Sequence, residues 1–335
     1  MNWRKISAIA ISAGLALSLT ACGTTPQQQG AKAPQETMTL RLADNQAPNY
    51  PTVTGDNEFA KLVKERTNGR INIVVYPNAQ LGDEKTVIEQ LQMGAIDLGR
   101  INASPLASFD NELNVFSLPY LFNSSAQMWD VLNGPIGTQM LNSLQSAKMV
   151  GLTYYDSGAR DFYNSKHPVI HPSDLKGMKI RVQQSDIFID LVKALGGSPT
   201  PMDYGEVYSA LQTGVVDGAE NNWPSYYSTN HYKVAKYMTE DEHSRVPEIV
   251  VASQATWNKL SPSDQKIIMQ AAIDSQTVQR QAWTQLETTA KKAAIANGNV
   301  ISQVNPAEWQ QAVAPLYAKY GKPYQSLITQ IRAVK

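Results

Sequence analysis

Two hydrophobic periods alternate along the chain. "LRLADN" (residues 40–45) switches between apolar and polar positions and reads as a strand. "DNEFAKLVKERTNG" (56–69) places Phe59, Leu62 and Val63 on one helical face and stops at Asn68-Gly69. "RINIVVYP" is a strand, "DEKTVIEQLQMG" a helix ended by Gly94, and "AIDLGRIN" a strand. Residues 124–147 are helical with an interruption at Gly134-Pro135, and "MVGLTYYD" returns to strand. Short strands separated by helices predict an α/β fold with a largely parallel sheet.

The pattern then restarts. "MKIRV" is a strand, "DIFIDLVKALGG" and "YGEVYSALQTG" are helices, and "VVDGAEN" is a strand. "LQMGAID" (91–97) and "LQTGVVD" (211–217) share Leu, Gln, Gly and Asp, each inside its own strand–helix series. Two lobes on related plans follow, in the manner of the type II periplasmic binding proteins: each lobe a mixed sheet flanked by helices, spanning 38–157 plus 247–286 and 158–246 plus 287–335. From Leu260 the chain is mostly helical, with one long run over 261–298 placed to brace both lobes. Ligands of open α/β sheets sit beyond the carboxyl ends of strands. Asn102 and Asn221 close equivalent strands, so lobes that face each other bring both amides to one cleft.

Composition narrows the function. Basic and acidic residues balance at 29 each, and no basic stripe marks a nucleic-acid partner. Arg4 and Lys5 precede the apolar run "ISAIAISAGLALSLTA", which reads as an export signal over 1–21. Its end, Leu19-Thr20-Ala21-Cys22, resembles the lipobox of bacterial lipoproteins, implying cleavage before Cys22, lipidation of its sulfur and a membrane anchor. Residues 22–37 are polar and rich in Gly, Pro and Gln, a flexible tether. Cys22 is the single cysteine, so the fold has no internal disulfide.

Nucleotide-binding glycine loops, zinc-protease motifs and the nucleophile elbow are all absent from the sequence. His167 and His171 stand four apart, but Pro168 and Pro172 break any helix there, and they read as loop histidines rather than a metal site. One cation stands out. Arg181 lies on a strand in "GMKIRVQQSDI" and needs an acid, either fixed in the fold or brought by a ligand.

"YPNAQLGDEKTVIEQLQMGAIDLG", "DLKGMKIRV", "GGSPTPMDYGEVYSALQTGVVDGAEN" and "HYKVAKYMT", in this order and spacing, resemble the solute-binding proteins of tripartite ATP-independent periplasmic (TRAP) transporters of the dicarboxylate-binding (DctP) type. The resemblance implies a monomeric, cofactor-free, non-enzymatic receptor. It holds an organic acid between its lobes and delivers it to the small and large membrane subunits of a permease. It assigns Arg181 as the main carboxylate clamp, with Arg160 and Asn221 reaching the same carboxylate and Tyr204 lying against the carbon skeleton. Asn45, Glu84 and Asn102 face the rest of the ligand, and His243 either contacts ligand hydroxyls or fixes the hinge. Relatives that bind sialic acid carry an acid at Asn102 and an arginine at Pro105. The motif set "YDSGARDFYNS…IRVQQS…ENNWPSY" looks like the uronate-binding subset, which makes a hexuronate such as glucuronate or galacturonate the expected ligand. C4-dicarboxylates, other sugar acids, a ligand-presenting role toward a receptor kinase, and a sugar-acid lyase or isomerase using Glu84 or His243 as base are the alternatives.

Overall fold

The computed structural model describes residues 37–334. The export signal, Cys22 and nearly all of the tether therefore lie outside the described residues. Among the described residues, eleven strands form two mixed sheets. Five of them, β1 (Met38–Ala43), β2 (Ile71–Tyr76), β3 (Leu98–Asn102), β4 (Met149–Tyr155) and β10 (Glu248–Ser253), make the first sheet in the order β2-β1-β3-β10-β4. The second contains β5 (Arg160–Asn164), β6 (Lys179–Val182), β7 (Ser198–Pro201), β8 (Gly218–Asn221), β9 (Tyr237–Ser244) and β11 (Val300–Gln303), in the order β11-β9-β5-β8-β6-β7. In each sheet the strands joined by helical crossovers pair in parallel, as β1 does with β2 and β3 and β6 with β7 and β8. The antiparallel strands are β10 in the first sheet, and β5 against β8 and β9 in the second.

The repeated heptapeptide has a repeated structural job. Gly94 and Gly214 both end their helices in the left-handed conformation, φ 72° and 75°, where a Cβ would be strained. Asp97 then accepts a hydrogen bond from the Arg41 backbone N–H at 2.8 Å, and Asp217 does the same for Lys179 at 2.9 Å. Each aspartate thus ties its strand to the neighbouring parallel strand, β3 to β1 and β8 to β6.

The first helix, Pro51–Arg66, starts five residues before the sequence pattern suggests, because Pro51 at its first turn presets the helical φ without wasting an N–H. Its Gly55 admits the long helix: a Cβ there would lie 2.8 Å from Gln279 and Tyr155 atoms. The break at Gly134-Pro135 separates helices Ser125–Leu132 and Pro135–Ser143, as the pattern predicts. Strands β5, β7, β9, β10 and β11 went unpredicted. β5 and β10 are buried along their whole length and β9 largely so, Arg160, Asp161, Asp241 and Glu248 included, so no apolar–polar alternation marks them. β7 and β11 are four-residue edge strands, too short to show a period.

The helix Pro262–Ala296 runs 35 residues from an N-cap in which Ser261 accepts from the Asp264 N–H. Its first half packs on the first sheet, where Ser275 meets the Tyr155 hydroxyl at 2.7 Å and Gln279 bonds both backbone groups of Asp156. Its second half buries Ala290 and Ala294 in the cluster of Trp223 and Tyr226 beside the second sheet. The last helices, Pro306–Tyr320 and Gln325–Ala333, join a core shared with residues 113–132: Gln127 donates to the Val334 carbonyl at 2.8 Å, and the Tyr317 hydroxyl donates to that of Pro119 at 2.8 Å.

Candidate binding cleft

Three buried arginines converge from the two sheets, and their partners differ. Arg100 and Asn102 are two apart on β3, so both side chains leave the same face. Arg100 is ringed by oxygen: Asp44 accepts from its Nε at 3.0 Å, Glu248 from Nη1 at 2.7 Å, Asn45 from Nη2 at 2.6 Å, and Glu84 approaches Nη1 at 3.4 Å. Burial alone would raise the Asp44 carboxyl, but Arg100 outweighs it and holds the group below the usual range. Asp56, behind it, is pushed well up by burial and by the Asp44 charge.

Arg160, on β5, belongs to Glu220. The carboxylate accepts from Nε at 2.5 Å and from Nη2 at 2.9 Å, and Asn221 Oδ1 accepts from Nη1 at 3.2 Å. Asp161 is its neighbour in sequence, yet the partner comes from β8, which the antiparallel register of β5 and β8 brings alongside. The Gln183 amide, turned to suit its neighbours, accepts from Arg160 Nη1 at 2.8 Å and donates to Asn102 Oδ1 at 3.0 Å, joining the two sheets' sides across the cleft.

Arg181, on β6, has no acid within ion-pair distance among the described residues. Its Nε and Nη2 donate to the Met202 carbonyl at 3.0 and 2.7 Å. That fixes one edge of the guanidinium and leaves the end-on fork, Nη1 with the second Nη2 proton, without a partner among the described residues. The side chain is 4 % exposed. Burial lowers its pKa and the pull of Glu220 only partly restores it, which is the signature of a cation short of counter-charge.

These groups wall a cavity of about 320 Å³ with a deep annex of about 30 Å³. Asn45, Glu84, Arg181 and Tyr204 line both spaces, while Asn102, Arg160 and Asn221 line the annex. Glu84 opens a helix whose N-cap is Asp83, and its Oε1 accepts from the Asn102 N–H at 2.9 Å. Burial lifts its carboxyl to about 7 against the pull of Arg100. Asn102 is largely committed: Oδ1 caps Ser104 and Nδ2 donates to Glu248 at 2.9 Å. The Tyr204 hydroxyl has no hydrogen-bond partner among the described residues.

His243 is the exception among the expected ligand contacts. It is fully buried and borders neither space; its Nδ1 lies 3.0 Å from Asp241 and its Nε2 3.4 Å from Glu220. It therefore stands behind the wall, supporting the carboxylate that holds Arg160. Burial would lower its pKa, but Asp241 and then Glu220 raise it to about 9. The wall also includes Gln46, Arg100, Gln183, Asn222, Ser225, Tyr208, His231 and Glu248, which the sequence reading did not assign. Arg100 was within reach of the strand period, two residues before Asn102. Glu248 was not, since only the β10–β3 register sets it opposite Asn102.

Amides, hydroxyls and one buried cation without an acid line a cleft between the two sheets, a set of groups suited to a small polar anion. That lining suits a solute-binding protein. The chain belongs to the DctP family, bacterial extracellular solute-binding protein family 7, whose model matches residues 42–323, and it is a TRAP-type solute-binding protein. It is 38 % identical over 289 residues to a solute-binding protein of Chromohalobacter salexigens, covering 85 % of this chain and 86 % of the relative. A TRAP periplasmic solute-binding protein of Bradyrhizobium sp. BTAi1, solved with α/β-D-galacturonate, superposes with a TM-score of 0.86 at 44 % identity, covering 88 % of this chain and 99 % of that one. Another from Pseudomonas putida F1, with bound D-glucuronate, gives 0.87 at 37 % identity, covering 89 % and 97 %. No helix of the described residues is long and apolar enough to cross a membrane.

The His243 arrangement predicts a pH dependence. A histidine raised from 6.5 to about 9 on folding adds stability that is complete below pH 6.5 and lost as pH climbs through 9. The contribution is on the order of 3 kcal/mol. Urea unfolding at pH 6.5 and pH 9 should show this loss in the wild type and a much flatter difference in His243→Gln. Equal slopes in both proteins would mean that the imidazole is neutral in the fold.

Proposed function

We propose that this protein captures a hexuronate, such as galacturonate or glucuronate, and presents it in closed form to its TRAP permease. The observation that carries the reading is Arg181: a buried guanidinium fixed by a main-chain carbonyl, with its end-on fork left open. A carboxylate fits that fork with two charge-assisted hydrogen bonds. Asn221 and Tyr204 stand on the same side, and the ring face of Tyr204 suits the C–H side of a sugar. Asn45, Glu84 and Asn102 offer donors and acceptors for hydroxyls.

The charge pattern favours one carboxylate over two. Arg100 and Arg160 are already neutralised by fixed acids, and the remaining wall cation, Lys85, sits exposed at the rim. A second carboxylate would meet Glu84 and Glu248 rather than a partner. The uronates seen in structurally similar proteins agree with this reading. A lyase or isomerase loses one of its two candidate bases, because His243 is sealed behind the wall.

The strands at 38–157 with 247–286 and those at 158–246 with 287–335 serve as the two lobes, which close when both grip the ligand. Cys22 carries the lipid that tethers this receptor to the extracytoplasmic membrane face.

Calorimetric titration tests the clamp. Each charge-assisted bond contributes about 1.5–3 kcal/mol, so Arg181→Ala should weaken hexuronate binding by roughly 100-fold or more. Arg181→Lys should also bind poorly because it loses the planar fork. Wild-type affinity in Arg181→Ala would remove the clamp assignment, and a wild type stabilised by C4-dicarboxylates alone in a thermal-shift screen would remove the hexuronate. For the anchor, the exported protein should partition into detergent and Cys22→Ser should not; a wild type that stays aqueous contradicts lipidation.

A further inference from the structure

His231 opens the short helix His231–Val234 and forms part of the cavity wall, yet no role in binding follows from the motifs that identify Arg181, Arg160 and Asn221. The imidazole is 1 % exposed. Its Nδ1 lies 2.8 Å from the Tyr163 hydroxyl, which has no other hydrogen-bond partner among the described residues. Its Nε2 is buried with none. The ring stacks on Tyr208, another wall residue, at 6.5 Å between centroids and 17° between planes.

Burial, with the Arg181 charge close by, drives the His231 pKa down to about 3, so the ring is neutral and carries a single proton. Two tautomers are available. If Nδ1 held the proton, it would donate to Tyr163, and both the phenolic proton and the Nε2 lone pair would lack partners. If Tyr163 donates to Nδ1, the proton sits on Nε2 and only that N–H lacks one. The second arrangement leaves fewer buried polar groups unsatisfied and is the stable one.

A buried N–H without a partner, on a residue of the wall beside an arginine without an acid, has the same missing counterpart as that arginine. We propose that His231 is a ligand-binding residue, donating its Nε2–H to an oxygen of the bound acid beside the Arg181 clamp. Tyr163 fixes the tautomer from behind and Tyr208 fixes the plane of the ring. The neutral donor complements the cation: it adds a directed hydrogen bond without adding a second charge that the empty cleft would have to bear. This deepens the hexuronate reading and rests on it.

Nitrogen NMR of the ¹⁵N-histidine-labelled protein, titrated with galacturonate while calorimetry follows binding in the same sample, tests the proposal. The His231 signal, assigned by its loss in His231→Gln, should show a neutral ring protonated at Nε2 before addition. It should shift at Nε2 in step with saturation. In binding assays His231→Asn, which keeps only an Nδ1-like group toward Tyr163, should weaken galacturonate roughly 10-fold or more. His231→Gln, whose amide reaches the Nε2 position, should recover most of that loss. Binding by calorimetry with an unmoved Nε2 signal overturns the role of His231 and leaves the hexuronate reading standing. Failure of both galacturonate and glucuronate to bind, by calorimetry and by thermal shift, overturns the hexuronate reading itself.

Discussion

A guanidinium buried without an acid is the constraint around which this cleft is built. Removing one partner from a buried ion pair costs about 3–5 kcal/mol, which is why proteins almost never leave such a cation alone. Here Arg181 is left alone by arrangement. Met202 accepts from one edge and so fixes the plane, but a carbonyl supplies no net charge. Glu220 could have neutralised Arg181, since its pull is felt there, but it is claimed by Arg160 and steadied by His243. The buried chain Glu220–His243–Asp241 stands behind the cleft wall, and its pairing with Arg160 keeps that acid occupied.

The other side of the cleft has the opposite imbalance. Asp44, Glu84 and Glu248 all approach the one guanidinium of Arg100, and Asp56 stands behind them. One cation faces four carboxylates, and burial, together with the neighbouring acids, lifts Asp56 and Glu84. A ligand therefore meets an unneutralised cation on the second sheet and surplus acid on the first. In the proposed binding mode that polarity orients a monocarboxylate with its hydroxyls toward Asn45, Glu84 and Asn102. In that mode a second carboxylate would face acid rather than a cation.

Most of the architecture could be read from the chain because it is written in local signals. Gly94 and Gly214 stop equivalent helices, Asp97 and Asp217 tie equivalent strand pairs, and Gly134-Pro135 breaks a helix where expected. Arg181 was visible as a strand cation in need of an acid, and the resemblance placed it in a cleft. What escaped is the product of long-range register. Nothing near Arg160 in sequence names Glu220 as its partner, nothing near Asn102 names Glu248, and the chain gives no sign that His243 faces inward to both Asp241 and Glu220. Strands β5, β9 and β10 escaped for the same reason, since burying charge on both faces erases the alternation by which strands are recognised.

In the proposed binding mode the charge on one carboxylate completes the site. Titrating the protein with galacturonate and with its methyl ester, which keeps the ring, the hydroxyls and the carbonyl but not the charge, tests this most directly. The ester should bind at least about 100-fold more weakly than the acid, through the loss of two charge-assisted hydrogen bonds to Arg181. Equal affinities for the acid and its ester would contradict that binding mode.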